Sequence, residues 1–375
     1  MRPETLPSVT PLRTSNLINL CQFSLAAGPQ SVKLLTSGEG VHRHMRRRNF
    51  ITLLGSTMVM GSLTAHAQHS GGMRRIGVLM SYPETDSDAQ ALLAAFREGL
   101  QKLEWTEGRN VRLDTRWTSA GNVEEMHRFA KELVALQPDL LLGHTTTASV
   151  ALQKQTRSIP IIFAFVSDPV GSGLVASFPH PSGNITGFMV MEPTMAGKWL
   201  ELLKEIAPRV ARVALLFNPA TATYAEYYLK PFKAAAASLA LEAIALPVRD
   251  TSELESVIAT HAREPNGGLI VMPDTFNDAH RAEITSLAAR YRLPAVCPLR
   301  FYAEVGCLLS YGPLPIDNFR RAAQYADRIL KGEKPSDLPV QAPVNFVLTI
   351  NIKAAKALGL NVPALLQQRA DEVAE

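Results

Sequence analysis

The chain is most constrained by a rhythm that begins near Arg74. Short, continuous apolar runs alternate with longer segments whose apolar residues recur at helical spacing. IGVLMS (76–81) predicts a buried strand, and DAQALLAAFREGLQKLEW (88–105) predicts a helix with Leu92, Leu93, Phe96, Leu100 and Leu103 on one face. Strands at 111–118, 139–145 and 159–166 then alternate with helices at 123–136 and 146–156. Strands that are apolar throughout are buried on both faces, so this order means a parallel sheet covered by helices on each side. A stretch rich in Gly, Pro and Ser (168–188) interrupts the pattern. It resumes with helices at 194–207, 224–240, 251–262 and 279–292, between strands at 212–219, 241–248, 267–274 and 293–299. A strand (307–313), a helix (316–332), a Pro-rich segment and LTINIKAAKALGL follow. Two sheets joined once need none of these last pieces; a chain that crosses back and returns uses all of them. The expected fold class is α/β, two Rossmann-like lobes with parallel sheets joined by a three-crossing hinge that permits closure. The expected division is 74–188 with 308–336 for lobe I, and 189–307 with 337–375 for lobe II.

Residues 1–67 stand outside this rhythm and read as a doubtful N-terminal extension plus a signal peptide. MRRRNFITLLGS (45–56) opens a basic and then apolar segment ending in Ala65-His66-Ala67, the small-residue pattern of a cleavage site after Ala67. Its apolar run of roughly 14 residues is too short to span a bilayer, which takes about 20. Arg47 and Arg48 match the twin-arginine export motif, and both that route and the general one stay open. Translation from Met45 is the expectation that makes sense of a leader placed 44 residues in.

The net charge of +4 invites an anionic partner, but its distribution removes the idea. Seven basic and two acidic residues among the first 48 contribute +5, which leaves −1 for the rest. The exported portion therefore has no electrostatic basis for binding nucleic acid or an anionic membrane. Past the leader no apolar run is long enough to cross a membrane. With Cys21 in the extension, Cys297 and Cys307 are too few for a disulfide framework or a zinc site. They could pair in an oxidising compartment, but both sit in apolar, strand-like surroundings that favour buried thiols at least as much.

Several stretches together resemble a known family: RRIGVLM, FREGL, DPVGSGLVASFPHPSGNITG, EVGCLLSYG and the terminal INIKAAKALGL with ADEV. The chain from residue 74 on is similar to the substrate-binding proteins of ABC transporters, in the tryptophan/tyrosine-binding-like group with the type I periplasmic-binding-protein fold. The resemblance implies a periplasmic receptor that closes on a small molecule; it does not name the ligand, for which an amino acid of the aromatic kind is the family-led guess, with branched aliphatic amino acids or small aromatic acids close behind. It also implies delivery to an ABC permease in the inner membrane, by a protein acting as a monomer.

In open parallel sheets, ligands bind beyond the carboxyl ends of the strands. That rule selects Ser81 and Tyr82, then His144, Thr145, Thr146 and Thr147, then Ser167 and Asp168 in the first half. In the second half it selects Asn218 with Thr221 and Tyr224, Asp274 with Phe276, and Arg300 with Tyr302, while Tyr311 sits near a crossing. The set suits a zwitterion. The threonines lead into a helix whose free N–H groups and hydroxyls would gather a carboxylate, though Thr145 or Thr146 is equally a helix cap. Asp168 and Asp274 would accept an ammonium, or cap turns. The tyrosines and Phe276 would cover an apolar or aromatic group, or pack in core and hinge.

The enzyme reading finds no support. There is no G-x-S-x-G elbow, P-loop or H-E-x-x-H, and Gly171-Ser172-Gly173 lacks the third glycine of a dinucleotide loop. No catalytic residue, metal site or cofactor is expected, since His144 has no partner ligand by spacing. A ligand-sensing partner of a membrane receptor would use the same cleft and stays as the alternative, with an exported hydrolase behind it.

Overall fold

The computed structural model describes residues 72–119 and 122–374. Arg47, Arg48, Ala67 and the extension before them lie outside the described residues. The first body contains β1 (Arg74–Met80), α1 (Ser87–Lys102), β2 (Val111–Trp117), α2 (Val123–Ala135), β3 (Leu140–Thr145), α3 (Thr146–Gln155), β4 (Ile161–Val166) and β5 (Ile185–Met189). Its five strands are all parallel, in the order β2-β1-β3-β4-β5. Alternate residues of one strand feed opposite cores: Ile76, Val78 and Met80 pack on the α1 side, and Leu79 packs with α2 and α3. β5 overlaps the end of the Gly-, Pro- and Ser-rich stretch (168–188) that interrupts the pattern. Gly187 hides it, because the strand passes so close to β4 that a Cβ there would meet the Phe163 carbonyl oxygen at 2.0 Å.

The second body contains α4 (Met195–Ile206), β6 (Arg212–Phe217), α5 (Ala225–Ser238), β7 (Glu242–Pro247), α6 (Thr251–Ala262), β8 (Gly267–Val271), α7 (Thr275–Ala279), α8 (Arg281–Arg290), β9 (Ala295–Cys297), α9 (Phe301–Glu304) and β10 (Leu309–Pro313). The expected helix at 279–292 is α8, and the short helix α7 precedes it, starting directly from Asp274. The chain then forms α10 (Pro315–Leu330), a 3-10 turn (Pro335–Asp337), β11 (Phe346–Asn351), α11 (Ile352–Ala357), α12 (Ala364–Arg369) and β12 (Glu372–Ala374). The second sheet runs β12-β11-β10-β9-β8-β6-β7, parallel except where β11 returns against β10.

Three crossings join the bodies: after β5, between β10 and α10, and between Gln341 and β11. Their positions differ from the expected division in two places. The expected division puts β10 in the first lobe with 308–336, but it pairs with β9 and β11 in the second sheet. The chain crosses only afterwards, and α10 lies along α1, where Gly99 admits Ala323. Residues 337–341 were assigned to the second lobe but run beside β5. Thr186 Oγ1 donates to the Leu338 carbonyl at 2.6 Å, and Met189 N donates to the Gln341 carbonyl at 2.9 Å.

Cys297 and Cys307 form a disulfide with a Cα–Cα distance of 6.6 Å, so the open alternative resolves to pairing. It ties the end of β9 to the start of β10 and so encloses α9, with both sulfurs' residues buried. Ordering a loop of that length predicts a loss of about 2–3 kcal/mol in stability for Cys297→Ala/Cys307→Ala. Urea unfolding of the two proteins, with a thiol titration of the parent in denaturant, measures it.

Candidate ligand cleft

The first lobe contributes a small polar cluster at the ends of β1, β3 and β4. Ser81 Oγ and Thr145 Oγ1 are 2.7 Å apart, and Thr145 Oγ1 lies 3.0 Å from Thr147 Oγ1. Thr146 is used differently: its hydroxyl accepts the Ser167 N–H at 3.1 Å, fixing β4 to the helix start. Thr145 occupies the N-cap position of α3 yet makes no side-chain cap bond, so its hydroxyl belongs to the cluster and not to the cap. His144 is buried beneath, its ring edge-on to Tyr82 at 4.9 Å and to Phe319 at 5.3 Å. Burial lowers its pKa to about 3, so the imidazole is neutral, with Nδ1 placed 3.5 Å from Ser81 N.

The second lobe uses several of the expected residues for its own loops. Asp274 caps α7 through the Phe276 N–H at 3.2 Å. It also accepts the Asn218 N–H at 2.8 Å and the Thr221 hydroxyl. Asn218 ties the same loop through the Arg249 carbonyl and the Ala220 N–H. These bonds commit the carboxylate to its own lobe; burial first, against those bonds, raises its pKa to about 6. Phe276 packs in the core, and Tyr224 donates to the Pro273 carbonyl at 2.8 Å. Arg300 pairs with Glu304 and Glu372. Asp168 holds the Gly171 N–H at 2.7 Å, the turn-capping reading of Asp-Pro. Tyr311 stacks on Phe346 at 5.9 Å, beside the hinge rather than with the strand-end groups.

The lobes meet through a residue that the strand-end rule passes over. Asp278, one helical turn beyond Asp274, receives the Tyr82 hydroxyl of the first lobe at 2.7 Å and the Tyr302 hydroxyl of the second at 2.8 Å. Three residues on, Arg281 reaches back across the cleft to Asp86 at 3.3 Å and Asp88 at 2.9 Å, its guanidinium lying 5.0 Å from the Phe301 ring centre. Beside this bridge is a cavity of about 190 Å³ with an apolar wall of Leu92, Phe165, Leu299, Phe301 and Ile316. Tyr82 and His144 line it as well, so Tyr82 faces both the cavity and the bridge. The wall residues sit in apolar segments that sequence alone reads as core, and the charged ones read as an exposed helix start.

Asp278 is 2% exposed, and its pKa is raised to about 7. Burial is the main cause, opposed by the two tyrosine hydroxyls, reinforced by Asp274 and offset in part by Arg281. Parting the lobes takes Tyr82 away and admits water, which returns the carboxyl towards its ordinary value near 4. The closed conformer therefore binds the proton more tightly. Its added stability is full below the ordinary value and is lost as pH rises through about 7. The donors to Asp274 all belong to its own lobe, so parting the lobes does not by itself remove them. X-ray scattering of the ligand-free protein is predicted to give a smaller radius of gyration at pH 5.5 than at pH 8.5, and Asp278→Asn is predicted to abolish the difference.

A two-lobed α/β body with strand ends facing a shared cleft has counterparts among known proteins. A tyrosine-binding protein of Clostridioides difficile (strain R20291) is 23% identical over 292 residues, covering 76% of this chain and 81% of that one. An ABC domain from Streptococcus pneumonia, solved in complex with L-Trp, superposes with a TM-score of 0.74 at 25% identity, over 80% of this chain and all of that one. A conserved domain protein from Vibrio cholerae gives 0.75 at 26% identity, over the same shares. The family described as ABC transporter substrate binding protein matches residues 77–374, so the chain belongs to that family and is a solute receptor of an ABC importer.

Proposed function

We propose that the solute is an aromatic amino acid of the tyrosine or tryptophan kind, bound between the lobes and handed to the importer's permease. The observation that carries this reading is the apolar cavity at the lobe boundary, lined by Tyr82 and His144, whose chain neighbours Ser81 and Thr145 belong with Thr147 to the hydroxyl cluster. An aromatic side chain would occupy the wall of Leu92, Phe165, Leu299 and Phe301, and burial of its ring would supply most of the affinity. A carboxylate would take those hydroxyls and the uncapped first turn of α3. The relatives named for tyrosine binding and solved with L-Trp support the same ligand class. The cavity lies below the ~300–1,000 Å³ usual for ligand sites. Binding therefore starts from parted lobes and ends with closure, the solute favouring the closed state through contacts to both.

On this reading the protein works as a monomer in the periplasm, exported by the leader cut after Ala67, and releases its ligand unchanged. Titration calorimetry with L-tyrosine, L-tryptophan, L-leucine and L-glutamate tests it. Micromolar or tighter binding of one aromatic amino acid, at least about 100-fold over the other two, is the expected outcome. Equal or stronger binding of leucine or glutamate contradicts it, and turnover of the bound compound contradicts the receptor reading.

A further inference from the structure

The carboxylate of Asp278 is poorly matched to its surroundings. It is buried, it belongs to one lobe, and one of its two hydrogen-bond donors, Tyr82, belongs to the other. Among the described residues no cationic nitrogen lies within 4.0 Å of it. The neighbouring cation, Arg281, turns its side chain to Asp86 and Asp88 and meets only the backbone carbonyl of Asp278, at 2.9 Å. A buried charge is ordinarily paired, because an unpaired one loses its hydration without return. Two neutral hydroxyls leave part of the carboxylate's acceptor capacity unused, since its oxygens offer about four lone-pair positions. Asp274, the other buried carboxylate nearby, does not share this condition, because three donors of its own lobe fill it.

We propose that Asp278 receives the ammonium group of the ligand, with Tyr302 orienting the carboxylate from below and Tyr82 closing over the pair from the opposite lobe. The proposal rests on the amino-acid reading above and adds the group that selects for a cation. It accounts for the position of Tyr82, which touches both the apolar cavity and Asp278 and so stands where the ring and the amine of one ligand would meet. It also gives closure a charge-based trigger. In the open receptor the carboxylate is hydrated; the ammonium brings the missing charge, so that closing no longer buries an unpaired carboxylate. Affinity for an amine-bearing ligand then rises with pH as the free receptor's carboxyl ionises, between its ordinary value near 4 and the value of about 7 in the closed form, the reverse of the ligand-free closure trend, because the ammonium pairs only with the ionised carboxyl. Tyr82, Tyr302, Tyr224, Asp274 and Arg281 are the titratable or charged groups that face Asp278.

The test compares L-tyrosine with 3-(4-hydroxyphenyl)propionate, which lacks only the amine, on the parent protein and on Asp278→Asn. Asparagine keeps the shape and removes the charge, one tyrosine hydroxyl still donating to Oδ1 and the other accepting from the amide NH2, and a thermal melt checks its fold. Tyr302→Phe, which leaves the charge in place, serves as the second variant. The parent is expected to prefer L-tyrosine by about 100-fold, Asp278→Asn to reduce that preference to below about 5-fold, and Tyr302→Phe to retain most of it. Equal weakening of both compounds by Asp278→Asn makes the residue a closure contact and overturns the proposal, as does a parent that prefers the deaminated compound. If the parent binds neither, the aromatic reading fails separately. The solute released from the purified protein, identified by mass spectrometry, then decides: a solute without a cationic nitrogen overturns the role of Asp278, and one with it upholds that role.

Discussion

A carboxylate held between two bodies governs how this molecule behaves. Asp278 and Tyr82 are 196 residues apart in sequence and belong to different sheets, yet they share a hydrogen bond of 2.7 Å. That bond exists only while the lobes are together, and it removes the carboxylate from water. Closure without ligand must therefore either protonate Asp278 or bury its charge unpaired. The Arg281 pairs with Asp86 and Asp88 act in the other direction. They are partly solvated and contribute little individually, so they steer the lobes into register more than they hold them. The balance is suited to a receptor, since an apo state that closed strongly would hold its permease-facing form with nothing bound.

The fold makes this balance possible. Right-handed βαβ units place all carboxyl ends of a parallel sheet on one edge, and two such sheets facing each other produce a cleft lined by loops. The three crossings restrict relative motion to opening and closing. Where β10 crosses towards α10, Gly312 passes so near β9 that a Cβ would stand 1.7 Å from the Pro298 carbonyl oxygen. The disulfide encloses the adjacent segment, which carries Tyr302, and so ties that side of the cleft to the start of β10.

Most of this architecture could be read from the amino acids, for a specific reason. Strands such as Ile161–Val166 are apolar at every position, and only a doubly covered parallel sheet buries both faces. β5 escaped because Gly187, which its tight pairing requires, is also the residue that signals a loop. The lobe boundary slipped because β10 and α10 are neighbours in sequence and only pairing reveals that they lie in different bodies. At the cleft, the strand-end rule reached Ser81, Tyr82, His144, Thr145 and Tyr302 but stopped one helical turn short of Asp278. It also promoted Asp274, whose place between a strand and a helix fits a ligand contact and a cap equally; the surrounding N–H groups make it a cap. Phe165, Leu299 and Ile316 were indistinguishable from core, since an apolar cavity wall and a core face have the same composition.

The central claim is that the two lobes are separate bodies whose cleft closes on a solute. Electron-spin distance measurement between labels on exposed positions flanking the cleft, Ala94 of α1 and Ser286 of α8, addresses it directly. A broad or two-component distribution is expected in ligand-free protein at pH 8, collapsing to a single shorter distance when L-tyrosine or the co-purifying solute is added. One unchanged distance under both conditions would contradict it.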